Sequence, residues 1–383
     1  MKFKPVLLLL LLLAGSFYST DNYKAIAQAI FALGLVVMFA QVFLSAVKKP
    51  IIQTNSLQFS LFLLTFISML MAALYHRETD LIVGSILFIV TFWYLSNVNK
   101  YGEQLTIPGI RTAFYLTFTV VTLISISSGL SFPYRGMFYN PNSLGSFYSL
   151  MTFFACGVIL DHLLIKPISK PLYLGTVAML FISIAFALLS YSRIAFASSL
   201  LAVFGILLFL LISSMSLKRL TVNKTYLLYL VSALMLAFIL IVANINAIQD
   251  IFIYKLETKL SAGDLTDDRA SIWAAVWETR SIFGHGRDLG TVIRYELAPH
   301  STYFSVLGTS GLISFFLFIS ACIVSLLTCL KRSTIESYGY LPLFITVNFL
   351  TASITEGMLM KMTMFAFFCF LNLVPKINRA DTP

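Results

Sequence analysis

Residues 172–215 read LYLGTVAMLFISIAFALLSYSRIAFASSLLAVFGILLFLLISSM, an apolar stretch broken by a single charge, Arg193. One membrane-crossing helix needs about 20 consecutive apolar residues, so this stretch is two spans joined by a tight turn at SYSR. A helix apolar on every face belongs in lipid or in a deep core, not on the surface of a soluble bundle. Outward from this hairpin the pattern repeats. Apolar runs bounded by charge lie near 5–19, 25–46, 57–75, 81–96, 113–130, 143–160, 172–190, 194–215, 226–243, 308–330, 339–356 and 358–374. Over 383 residues, 59% are hydrophobic and 11% charged, against roughly 45–50% and about 25% in soluble domains. A water-soluble globule is excluded. The expected fold is all-α: one polytopic integral membrane domain, 1–383, of about twelve transmembrane helices.

The first run, within MKFKPVLLLLLLLAGS, also has the basic start and Leu core of a signal peptide. With eleven further spans, an uncleaved first helix is the simpler expectation. If both termini are cytoplasmic, Lys2, Lys4, Lys48, Lys49, Lys100, Arg111, Lys166, Lys170, Lys218, Arg219, Lys224, Lys331, Arg332, Lys376 and Arg379 all fall inside, in short segments. Short outer connections and helix ends then hold only Lys24, Arg77, Arg135, Arg193 and Lys361. That asymmetry is the positive-inside pattern. The net charge of +10 therefore reads as an orientation signal, and no nucleic acid partner is expected. Cys156, Cys322, Cys329 and Cys369 sit inside apolar runs without CxxC spacing, and read as packing residues.

The one long loop, about 244–301, is then extracytoplasmic. It carries Asp250, Glu257, Asp264, Asp267, Asp268, Glu278, Asp288 and Glu296, half of the 16 acidic residues. Within it, DDRASIWAAVWETRS places Ile272, Trp273, Val276 and Trp277 at helical spacing with polar residues opposite, the pattern of a short amphipathic helix. Asp267 or Asp268 would cap it, and two Trp on one face suit the lipid headgroup level. IFGHGRDLG follows, with Gly284 and Gly286 in a tight turn.

Arg193, Arg269 and His300 stand where a bilayer makes charge expensive, or where the loop gathers it against the outer face. Arg193 reads either as a turn arginine reaching headgroups or as a guanidinium fork for a phosphate. Arg269 is a local partner of Asp267 and Asp268 or a second anion contact. His300, after Pro299 at the loop's return to the membrane, is a structural histidine or a general base. His285 and His76 are weaker bases, and His162 is expected on the cytoplasmic side. No metal site is expected: His285 and His300 are the only histidine pair facing the long loop, no HExxH, DxD or clustered-carboxylate motif accompanies them, and there is no P-loop.

Taken in order, several segments resemble the O-antigen ligase and O-antigen polymerase family of bacterial membrane glycosyltransferases. RGMFYNPNSLGSF at 135–147 resembles the family's Gly-x-Phe-x-Asn-Pro-Asn segment, and YSRIAFASS at 191–199 its Ser-Arg hairpin. DDRASIWAAVW at 267–277, FGHG at 283–286, PHSTYFSVLGTSGLIS at 299–314 and TASITEGML at 351–359 resemble the Arg-x-x-x-Trp helix, the glycine turn, the His re-entry and the final acidic helix end. The resemblance covers roughly 130–375.

It implies transfer of a glycan from an undecaprenyl-diphosphate-linked oligosaccharide to a glycan or lipid-linked glycan acceptor. Transfer would take place on the outer side of the bacterial cytoplasmic membrane, inverting, without metal or other cofactor. Chain-length regulators and flippases are the protein partners such a role would bring. Arg193 and Arg269 would hold the diphosphate and His300 would deprotonate the acceptor hydroxyl. Arg135, Asn140, Asn142, Gly284, Gly286 and Glu356 would contact substrate or shape its site. Ser301 departs from the Asn that often follows the histidine, and so loses one donor. The alternative class is a flippase or polysaccharide transporter, for which twelve spans are equally natural; it would place charges within several helices at midplane, whereas here they gather in outer loops.

Overall fold

The computed structural model describes residues 56–86, 107–128, 134–138, 140–165, 167–215, 224–243, 269–295, 299–334 and 339–355, with isolated positions in 25–33 and at 89, 249 and 257. Among the described residues all regular structure is helical and there is no strand. The helices are α1 (Ser56–Tyr75), α2 (Ile107–Ser127), α3 (Pro141–Leu164), α4 (Lys170–Leu189), α5 (Arg193–Met215), α6 (Lys224–Ala243), α7 (Arg269–Glu278), α8 (Leu289–Ile293), α9 (Thr302–Thr334) and α10 (Leu341–Thr355). Five of them, α1, α3, α4, α5 and α9, are long and apolar enough to cross a membrane. Every sequence run from 57–75 and from 113–130 to 339–356 meets one of these helices. The runs at 5–19 and 358–374, with most of 25–46, of 81–96 and of the loop before Arg269, fall outside the described residues.

The chain divides into two compact units: Met1–Leu123, Arg269–Cys329 and Phe349–Pro383 form the first, Ile124–Asp268 and Leu330–Asn348 the second. In the second unit α3 is the axle. In its most apolar window 89% of residues are buried, against 28% for α5, and it packs on α4 and then α5. Gly157 lets it close on the start of α10, because a Cβ there would sit 2.7 Å from the Leu341 Cα. Three buried polar side chains cross-link the helices: Asn348 Nδ2 donates to Ser149 Oγ (3.2 Å), which is 2.7 Å from Ser198 Oγ. Such short polar links are a normal means of joining helices in lipid. The opposite side of α5 presents Leu200, Leu201, Phe204, Leu207 and Leu211 outward, Phe204 at 60% exposure. An apolar surface of that extent would be a liability in water and is at home against acyl chains.

In the first unit α1 joins α9 by the same device, Gln58 Nε2 donating to Ser325 Oγ (2.7 Å) and Ser68 Oγ lying 2.9 Å from Ser314 Oγ. α9 begins at Thr302, ahead of the run expected from 308, and is broken at Gly311, whose φ of 86° and ψ of −178° only glycine adopts comfortably. The break costs the helix its bond from the Leu312 N–H to the Gly308 carbonyl. Both groups find new partners in the glycine turn: Leu312 N donates to Ser281 O (2.9 Å), and Gly308 O accepts from His285 N (2.7 Å). Residues 281–285 thus replace, bond for bond, what the helix gave up, as buried backbone groups require.

Candidate active site

α7 forms as the amphipathic pattern predicts, but its two tryptophans part company. Ile272 and Val276 are buried with Leu289, Ile293 and Leu307, against which Phe304, Leu312 and Phe315 also pack. Trp273 turns into the protein: its indole N–H donates to Pro299 O at 2.7 Å, and its ring stacks on Phe304 with centroids 5.2 Å apart and planes within 5°. Trp277 stays 44% exposed, edge-on to Phe315 and under the Arg280 guanidinium at 5.0 Å. Of the expected outward-facing Trp pair, only Trp277 is exposed. The capping positions Asp267 and Asp268 lie outside the described residues.

This placement brings two of the three leading site residues into one corner. Arg269 is the first residue of α7, partly buried, and shares a helix face with Trp273 one turn on. Trp273 in turn holds the carbonyl immediately before His300. His300, half-buried, takes a left-handed φ of 47°. Ser301 is buried, its hydroxyl 3.3 Å from Ser353 O, while its own carbonyl accepts from Ser305 N to start α9. Tyr303 OH donates to Leu350 O (3.2 Å). Arg269 thus opens the helix whose indole holds the carbonyl before His300; a guanidinium and an imidazole are groups suited to anion binding and to proton transfer respectively.

Arg193 belongs to the other unit, where it opens α5. Asn140 caps α3, its side chain accepting from Asn142 N (2.8 Å), with Pro141 in the first turn, so Asn-Pro starts the helix here. Gly145, a turn further on, closes against Ser190, Ser192 and Ala195, which a Cβ there would approach to 2.7–2.9 Å. Tyr191, between those serines, has a φ of 56°. Tyr134 N donates to Leu189 O and its hydroxyl to Ser125 O at 2.5 Å; burial pushes this phenol above its usual range, which keeps it a donor. Arg135 beside it is exposed, and so is Asn142. Arg135, Asn140, Asn142 and Arg193 therefore gather at one end of the α3–α4–α5 bundle. Glu356 lies outside the described residues.

Gly284 and Gly286 do form a turn, each with positive φ. A Cβ on Gly284 would lie 2.5 Å from the Thr309 carbonyl, and one on Gly286 would collide with the Glu78 carboxylate. Their lack of side chains is thus used for close packing against the break in α9 and the 76–80 loop. Sequence reading missed what binds this turn. Glu78 Oε1 accepts from Arg287 N (2.5 Å), Asp80 pairs with the Arg287 guanidinium, and Phe283 O is 3.1 Å from His76 Nε2. The Phe283 ring stacks on Tyr75, and His285 bonds Thr279 O through Nε2 (2.6 Å). His76 and His285, the weaker base candidates, each have a ring nitrogen against a backbone carbonyl. The one sequence signal for the break was GTSG, a rare cluster of small residues in a span. His162 accepts from Ile168 N at Nδ1 (2.7 Å), boxed by Tyr173 and Tyr226. Among the described residues no group of three His, Cys, Asp or Glu could hold a metal ion.

Compared with known proteins, the chain matches no family model and no curated protein.

Proposed function

We propose that the chain is a membrane glycosyltransferase of about twelve spans in the bacterial cytoplasmic membrane, with both termini cytoplasmic and its site on the outer face. It moves a glycan from an undecaprenyl-diphosphate carrier to an acceptor sugar hydroxyl in surface-polysaccharide assembly, as ligase or polymerase. What carries the reading is the corner in which α7 and the foot of α9 are joined at Pro299, with Arg269 a turn from the joint and His300 next to it. In the reaction the acceptor oxygen attacks the anomeric carbon as His300 takes its proton. The bond to the carrier phosphate breaks, its electrons leave with the diphosphate, and the sugar inverts. The diphosphate gains a negative charge as it departs, which calls for cations, the role proposed for Arg269 and Arg193; the acceptor calls for a base with a pKa near neutrality.

The test is reconstitution in liposomes with an undecaprenyl-diphosphate oligosaccharide and an acceptor glycan, read by mass spectrometry. Transfer is expected in the wild type, with a loss of about 100-fold or more in R193A, R269A and H300A at undiminished membrane insertion. Movement of the donor across the bilayer without transfer would replace the proposal by a flippase.

A further inference from the structure

We propose that Trp273 and Ser301 are positioning residues that aim His300, an inference resting on the reading of His300 as the base. The left-handed backbone of His300 (φ 47°) is sparsely populated for a residue with a Cβ and persists where flanking contacts over-determine it. Here there is a contact on each side. Before it, Pro299 O accepts from the Trp273 indole at 2.7 Å; after it, the Ser301 hydroxyl donates to Ser353 O at 3.3 Å. The Trp273 ring is itself held face to face on Phe304, so the direction of its N–H is set by packing. A hydroxyl carries one proton, and Ser301 gives it to α10, so toward substrate it can only accept. The joint therefore fixes the backbone origin of the imidazole from two helices, α7 and α10. Because Arg269 rides on the same helix as Trp273, the indole also sets the spacing between cation and base.

The probe is Trp273→Phe, which keeps an aromatic ring for the stack but loses the indole N–H together with part of the bicycle, alongside 3-benzothienylalanine at 273, which removes the N–H and keeps the bicyclic shape. The exposed Trp277 supplies the control, W277F. In reconstituted transfer, W273F and the isostere should lower kcat about 10- to 100-fold with the donor KM unchanged, S301A should act in the same direction, and W277F should be silent. In parallel, the chain's four histidines are ring-labelled with 13C, and the His300 signal is identified by its loss in H300Q. That signal should shift in W273F and S301A and stay in W277F. A raised KM at unchanged kcat, or an unmoved His300 signal, would overturn the proposal. The spectroscopic arm needs no turnover: a wild type that transfers nothing would remove the proposed function, while a shifted His300 signal would still uphold the two anchors.

Discussion

The bundle around α3 and the corner around α7 are held together in opposite ways. α3 is buried along nearly its whole length, and its neighbours meet it through many small apolar contacts, with a few serine and asparagine links in between. The α7 corner buries only Ile272 and Val276 of its own helix and depends on single, directed bonds: Trp273 to Pro299, Ser281 to Leu312, His285 to Gly308. Distributed packing tolerates the loss of any one contact, since each dispersion contact is small. Directed bonds concentrate the cost in a few atoms. The first arrangement suits a scaffold, and the second suits a place where side chains must point correctly.

The largest effect should come from Gly311→Ala. A Cβ there would collide with Ile282 O and Gly284 N, and lies 2.5 Å from Ile282 C, all backbone; the φ of 86° adds its own penalty. Overpacking and the left-handed backbone together cost about 3 kcal/mol. In detergent, G311A should lose more apparent melting temperature than Gly157→Ala, which meets Leu341 in the bundle but keeps helical backbone angles. Equal losses would mean that the corner is as redundant as the bundle.

How far the sequence foretold these regions follows the same division. Apolar length is a one-dimensional signal, so the helices at 143–160, 172–190 and 194–215 were legible from composition alone, and so was the period of α7. What no periodicity could show was the exchange of partners at Gly308 and Leu312, because residues 281–285 are distant in sequence. The inward turn of Trp273 was hidden for the same reason, since its partner is Pro299. Of the candidate residues, Arg269 opens the helix of Trp273, whose indole, expected from the amphipathic pattern to face lipid, instead bonds the carbonyl before His300. The cap formed by Asn140 was not read from the sequence, where Asn140 stood only as a substrate contact, although Asn-Pro before an apolar run carries the signal of a helix start.

A middle-sized effect should follow from Asn140→Ala, which removes the cap on α3. The expected cost is about 1 kcal/mol, spread over a helix otherwise secured along its length. Thermal melts should show a loss well below that of G311A, and restoration by Asn140→Asp, which can accept the same Asn142 N–H. A loss as large as that of G311A would show that α3 depends on its first turn and that its packing is not redundant.

The smallest effect should be at the surface of the corner itself. Asp80 and Arg287 form an ion pair at 74% and 63% exposure, and pairs so open contribute roughly 0–1 kcal/mol, less in salt. Asp80→Asn should therefore shift the melting temperature by little at low salt and by nothing measurable in about 0.5 M NaCl, where the screening length is shorter than the bilayer headgroup layer is deep. Glu78→Ala should cost more than Asp80→Asn and keep its effect in salt, because the Glu78 carboxylate accepts a backbone N–H of Arg287 and packs on Gly286. If the two variants behaved alike and both effects vanished in salt, the glycine turn would be held by charge. The α7 corner would then owe its geometry to electrostatics rather than to directed bonds, and the contrast with the α3 bundle would have to be drawn on screening instead.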